Sequence, residues 1–127
     1  MPSAGSRGSS MPEISDEYMK ARLQTVRAYT LVLLKKGPAY APPDSRPADQ
    51  SAIVREHGRR NMALQVEGKL AIVGPLSGGG ETVGLYIFTV PEAEVRAIMD
   101  SDVAFQASIF TYEVMTLHGF PGDALPP

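Results

Sequence analysis

His57 is the residue of this chain best suited to proton chemistry. It lies in "REHGRRNMALQV", residues 55–66. Val54, His57, Asn61 and Leu64 recur at spacings of three and four, which predicts one buried stripe of a helix, widened by Ile53 and Met62. An imidazole can donate or accept a proton near neutrality. A carboxylate on one ring nitrogen would fix its tautomer and stabilise the imidazolium formed at the other. The competing reading is a core histidine whose nitrogens are satisfied by backbone. Arg60 and Asn61 follow His57 at i+3 and i+4, on neighbouring parts of the same face. Arg60 could grip a substrate carboxylate through two parallel hydrogen bonds, or pair with Glu56 one turn earlier. Asn61 could orient a carbonyl or a water, or simply pack. Tyr86 and Tyr112 stand in strand-like runs, where an aromatic either fills the core or lines a pocket.

The remaining composition removes other chemistries. The chain has 127 residues and no Cys, so thiolate nucleophiles, disulfides and zinc–thiolate sites are excluded. With His57 and His118 as its two histidines, the chain predicts no metal site. "SGGGE" lacks the Lys-Ser/Thr of a phosphate loop, and "GGGETVG" fails as a dinucleotide fingerprint, so no cofactor is expected. A formal net charge of −2 offers no field to recruit nucleic acid or an anionic membrane. The apolar runs are too short to span a bilayer, and the N-terminus has no secretory h-region. The expected setting is cytoplasmic and the expected partner a small-molecule ligand.

The elements that must position these residues follow from periodicity and punctuation. Residues 1–12 are Ser/Gly/Pro-rich and are expected to be disordered, leaving a single domain over 13–127. Ser15 caps a short amphipathic helix over "DEYMKARLQTV", whose Met19, Leu23 and Val26 call for a surface to dock on. "RAYTLVLLKKG" is a strand, so nearly continuous in apolar residues that both its faces should be covered. After a proline-rich loop, Pro47 fits the first turn of the helix that carries His57, and Gly68 stops it. "KLAIVGPL", ended by Gly74-Pro75, and "TVGLYIFTV" form an antiparallel hairpin. Thr89 and Glu92 have capping-box spacing ahead of a helix over "EAEVRAIMD", with Val95, Ile98 and Met99 inward. Asp102 opens a further helical turn, and "IFTYEVMTL" is the last strand. As an N-cap, Asp102 has a structural role open to it whatever else it does.

The order is β-α-β-β-α-β with an extra N-terminal helix. This is the α+β, ferredoxin-like plan, a four-stranded antiparallel sheet with its helices on one face. The other face is apolar as well, which a homodimer pairing sheet against sheet would cover.

With this order on the page, the chain resembles the YciI-like (YCII-related) family of the dimeric α+β barrel superfamily. The resemblance covers roughly residues 27–117. It rests on His57 followed by Gly68, a strand and Gly74-Pro75, on the Gly-rich hairpin into "VGLYIF", and on "SDVAFQASIFTYEV". "EHGRRN" and "FPGDALP" resemble one subgroup of the family. The resemblance implies a His–Asp dyad, which carried over residue by residue is His57 with Asp102. It also implies chemistry on muconolactone-type compounds, including dehydrochlorination. Two positions depart from the family pattern. Val103 replaces the proline after the aspartate, and Val54 replaces an arginine three residues before the histidine.

Two functions fit. One is a small-molecule enzyme in which His57 moves a proton on a carbon beside a carbonyl of a compact organic acid or lactone. Asp102 would orient His57, and Arg60, Asn61, Tyr86 and Tyr112 would hold the substrate. The other is a non-catalytic dimeric module that binds a metabolite or partner in the same pocket. Hydrogen-bond reach between His57 and Asp102, in a cleft, discriminates them.

Overall fold

The structure, a computed structural model, describes residues 10–127. The disorder expected over residues 1–12 therefore falls mainly outside the described residues. The elements are α1 (Asp16–Leu23), β1 (Arg27–Lys36), α2 (Ala48–Val66), β2 (Leu70–Pro75), β3 (Thr82–Phe88), α3 (Glu92–Asp100), α4 (Val103–Gln106) and β4 (Phe110–Gly119). A single 3-10 turn, Pro43–Ser45, interrupts the loop before α2. The chain falls into two compact units, Ala28–His118 and a smaller one of the described residues up to Arg27 with Gly119–Pro127.

The larger unit holds one four-stranded sheet in the order β2-β3-β1-β4. β3 runs antiparallel to both β1 and β2. This is the ferredoxin-like α+β plan expected from the element order. Register divides the sheet into two faces. Val32 pairs with Tyr86 and Tyr86 with Val73, while Thr30 and Leu70 both pair with Phe88. That face packs against Leu64 of α2, Val95 and Met99 of α3, and Ala104 of α4 to form the core. On the opposite face Leu31 and Ile72 both meet Ile87, and Leu33 meets Leu85. These residues are half-buried within the single chain, so the second face is partly covered rather than closed.

Gly74 and Pro75 are the last two residues of β2, paired with Leu85 and Gly84, and close it as expected. β2 is an edge strand, where a proline without an N–H is tolerated. Several other local expectations are corrected. Thr89 does not cap α3. Its hydroxyl donates to the carbonyls of Gly68 and Lys69, 2.8 and 3.2 Å away, and Pro91 holds the cap position without a side-chain bond. Pro47 is the residue before α2 rather than its first turn. Met62 is 67% exposed, so it does not widen the buried stripe of α2.

Geometry requires glycine at both ends of the segment that carries α2. Gly68 has a φ of +80°, the left-handed turn that ends α2. Gly37 brings the end of β1 against the chain entering β4. A Cβ there would collide with the Ser108 carbonyl, and the Gly37 N–H donates to Ile109 at 2.8 Å.

In the smaller unit, Ser15 accepts from the Tyr18 N–H at 3.1 Å as the expected cap of α1. No residue of α1 is buried, and Tyr18, Met19 and Leu23 are each more than half exposed. Arg22 reaches Asp123 at 3.2 Å and lies over the Phe120 ring at 4.1 Å.

Candidate active site

α2 enters the core with polar residues on its inner stripe. Its buried residues are His57, Asn61 and Leu64, with Val54 half-buried. A buried imidazole and amide must each find partners. α4 and β3 supply them.

Asp102, at the N-cap of α4, serves both of the roles open to it. Its Oδ1 accepts from the Ala104 N–H at 2.8 Å, and its Oδ2 lies 2.8 Å from His57 Nδ1. Both side chains are almost wholly buried, at 8% and 3% exposure. Burial pushes the Asp102 carboxyl up. The bonds from His57 and from the Ala104 N–H, with the nearby charge of Arg60, outweigh burial and hold it below the ordinary carboxylate range. An ionised carboxylate can only accept, so His57 Nδ1 donates to it, and Nε2 carries the lone pair of the neutral ring.

Nε2 points toward Tyr86. The Tyr86 hydroxyl lies 3.0 Å from it, and Asn61 Nδ2 donates to that hydroxyl at 3.3 Å. Burial, the largest influence, raises the Tyr86 phenol well above its ordinary range, and Asn61 only partly offsets this. Tyr86 therefore stays a hydrogen-bond donor at any physiological pH. Phe105 and Phe110 pack on the His57 ring at 6.1 and 5.2 Å between centroids, which keeps water from its flanks.

Arg60 reaches the same cluster from the other side. It donates to the Ile98 carbonyl and the Ser101 hydroxyl, each at 2.6 Å, and lies 3.5 Å from Asp102 Oδ2. Glu56 is taken by Arg59 instead, at 3.0 Å. Tyr112 lies apart, donating to Asp100 at 2.6 Å. Of the residues singled out in the sequence, His57, Asn61 and Tyr86 line a cavity of about 690 Å³; Asp102 and Arg60 stand behind the histidine, and Tyr112 is elsewhere. The cavity lies between α2, the core face of the sheet and the loop before α2, and its volume suits a small organic molecule.

The sequence reading missed Tyr40 and Arg46, which line the cavity from that loop. Gln50 of α2 fixes the loop, accepting from the Ala41 N–H at 3.0 Å and donating to the Ala39 carbonyl at 2.9 Å. Proline richness marked this segment as irregular, and nothing in its residue types announced a wall of the cavity.

Fold and site together define an α+β, ferredoxin-like protein with a buried His–Asp pair opening on a cavity. No protein-family model and no curated protein matches the chain. Among solved structures the chain is similar to muconolactone isomerase, with a TM-score of 0.55 and 19% identity over 78% of this chain and 97% of that one. That likeness is one of fold. A 5-chloro-2-hydroxyhydroquinone dehydrochlorinase from Burkholderia phenoliruptrix AC1100, in complex with 2,5-dihydroxybenzoquinone, aligns over 73% of this chain and 95% of its own, with a TM-score of 0.43 and 17% identity. Among the described residues no helix is long and apolar enough to cross a membrane, and no group of three His, Asp or Glu side chains could hold a metal.

Proposed function

We propose that this protein is a small-molecule enzyme of the YciI-like kind, in which His57 moves a proton on a carbon beside a carbonyl. The observation that carries this reading is the 2.8 Å bond from His57 Nδ1 to Asp102 in a cavity wall, with Nε2 turned to the Tyr86 hydroxyl. Asp102 holds the tautomer and stabilises the imidazolium once a proton arrives. Tyr86 gives its hydroxyl proton as a hydrogen bond to the substrate carbonyl. This frees Nε2 and stabilises the enolate oxygen as charge develops there. Asn61 steadies the Tyr86 hydroxyl, and Arg60 steadies Asp102. The proton taken from carbon by Nε2 returns to the same substrate at another carbon in an isomerisation, or leaves with a departing anion in an elimination. Lactones and unsaturated acids are the class such a set serves, and the isomerase that shares the fold is named for a lactone. The half-buried apolar face formed by Leu31, Leu33, Ile72, Leu85 and Ile87 supports a homodimer joined sheet to sheet.

The test is solvent deuterium exchange at the carbon beside the carbonyl in a panel of unsaturated lactones and acids. Exchange or turnover by the wild type should fall by about a hundredfold or more in His57→Gln, the range for a lost general base. Exchange that is indifferent to His57→Gln, or absent across the panel, overturns the reading in favour of a binding module.

A further inference from the structure

The cavity is lopsided in charge. Of the side chains that line it, none is Asp, Glu or Lys, and Arg46 is the one permanent cation. Arg46 is half-buried on the loop before α2, and the carboxylate that serves His57 is not among the lining side chains. Its Nε donates to the Ala41 carbonyl at 3.0 Å, which fixes the guanidinium in place. Among the described residues no carboxylate pairs with it, and both of its Nη groups are without a protein acceptor. Its guanidinium lies 5.4 Å from the Tyr40 ring centroid, and Lys36 Nζ lies at the same 5.4 Å from that ring. Lys36 is likewise without an ion-pair partner among the described residues. Two cations thus flank one aromatic wall, and no acid answers them. A guanidinium anchored through Nε and open at its two Nη groups presents the planar fork that a carboxylate fits.

We propose that Arg46 is the anion-binding residue of the cavity and that the ligand is a ring-sized organic acid. Its carboxylate sits on the Arg46 fork, its ring packs along Tyr40, and its carbonyl or hydroxyl end meets Tyr86 and His57. The inference rests on the cavity being the substrate site of the proposed enzyme. It assigns the grip on the acid to a loop residue in place of Arg60, whose donors are used within the protein.

The experiment compares 4-hydroxybenzoate with 4-hydroxybenzamide, which share ring and shape and differ in charge. Dissociation constants are measured by calorimetry for wild type, Arg46→Gln and Arg46→Lys. Wild type should bind the acid about tenfold or more tighter than the amide, as a charge-assisted pair implies. Arg46→Gln should abolish that preference and leave amide binding within about twofold of wild type, since it removes only the charge contact. Arg46→Lys should keep part of the preference, and does so even if Arg46→Gln disturbs the loop. Equal binding of the two probes by wild type overturns the proposal. So does a preference that survives Arg46→Gln, or a wild type that binds neither probe. A failure confined to the charge comparison leaves the His57 reading standing, because the amide still reports an occupied cavity and the exchange experiment tests His57 by itself.

Discussion

α1 and α2 are helices built on opposite terms. α1 has every local signal: Ser15 at its cap, Asp16 and Glu17 in its first turn, Lys20 and Arg22 in its last, and not one buried residue. α2 lacks a side-chain cap and buries a histidine and an asparagine on its inner stripe. A good cap is worth about 1 kcal/mol, whereas one buried polar group left without a partner costs about 1–3 kcal/mol. α2 is therefore held by what its inner residues bond across the core, and α1 by its own ends. The helix with the weaker local signals is the one that carries the proposed chemistry, because burial is what shields and fixes the imidazole. Substitutions should accordingly act strongly on the partners of α2 and faintly on α1.

The largest effect is expected at His57, where His57→Gln should cost about a hundredfold or more in turnover and also lower stability, because it removes the imidazole that bonds the buried Asp102 carboxylate. Asp102 comes next, because it serves His57 and α4 at once. Asp102→Ala should lower stability by about 3 kcal/mol in urea unfolding, removing a cap and orphaning a buried donor. A loss under about 1 kcal/mol would contradict the two-bond role. The pH dependence has a definite sign. Asp102 is harder to protonate folded than unfolded, so its contribution is whole above the ordinary carboxylate range, about pH 4, and fades as pH falls through the lower folded value. Asp102→Ala should flatten that acid limb.

Tyr86→Phe should follow, at about 1–2 kcal/mol, since it leaves His57 Nε2 and Asn61 short of a partner. Its phenol is raised in the fold, so its contribution is full below the unfolded tyrosine value of about 10 and is lost as pH climbs beyond it. Tyr86→Phe should remove part of that alkaline loss. The smallest effect is expected at Arg22 of α1. The Arg22–Asp123 pair is 41% and 63% exposed, so Arg22→Ala should change stability by under about 0.5 kcal/mol. A larger loss there would erase the contrast between the two helices.

The same contrast says what was legible in the sequence. The stripe of His57, Asn61 and Leu64 was readable because a period of 3.6 is a property of local sequence. Asp102 was readable as a cap for the same reason, and its bond to His57 came from a resemblance rather than from spacing. Forty-five residues separate that pair, and only the docking of α4 on α2 closes the gap. Arg60 shows the limit. Its place on α2 was evident, but whether it faced the cavity or Asp102 depended on the corner between α3 and α4. Arg46 was invisible because its loop has no period to read. The capping-box spacing of Thr89 failed because the end of α2 offered its hydroxyl two carbonyls.

The most direct test of the account is the tautomer of His57, read by long-range proton–nitrogen NMR on the neutral ring. The account predicts the proton on Nδ1, toward Asp102, and the lone pair on Nε2, toward Tyr86 and the cavity. It also predicts that Asp102→Ala weakens this preference. A proton on Nε2 in the wild type would contradict it, because the nitrogen facing the cavity could then take nothing from a substrate.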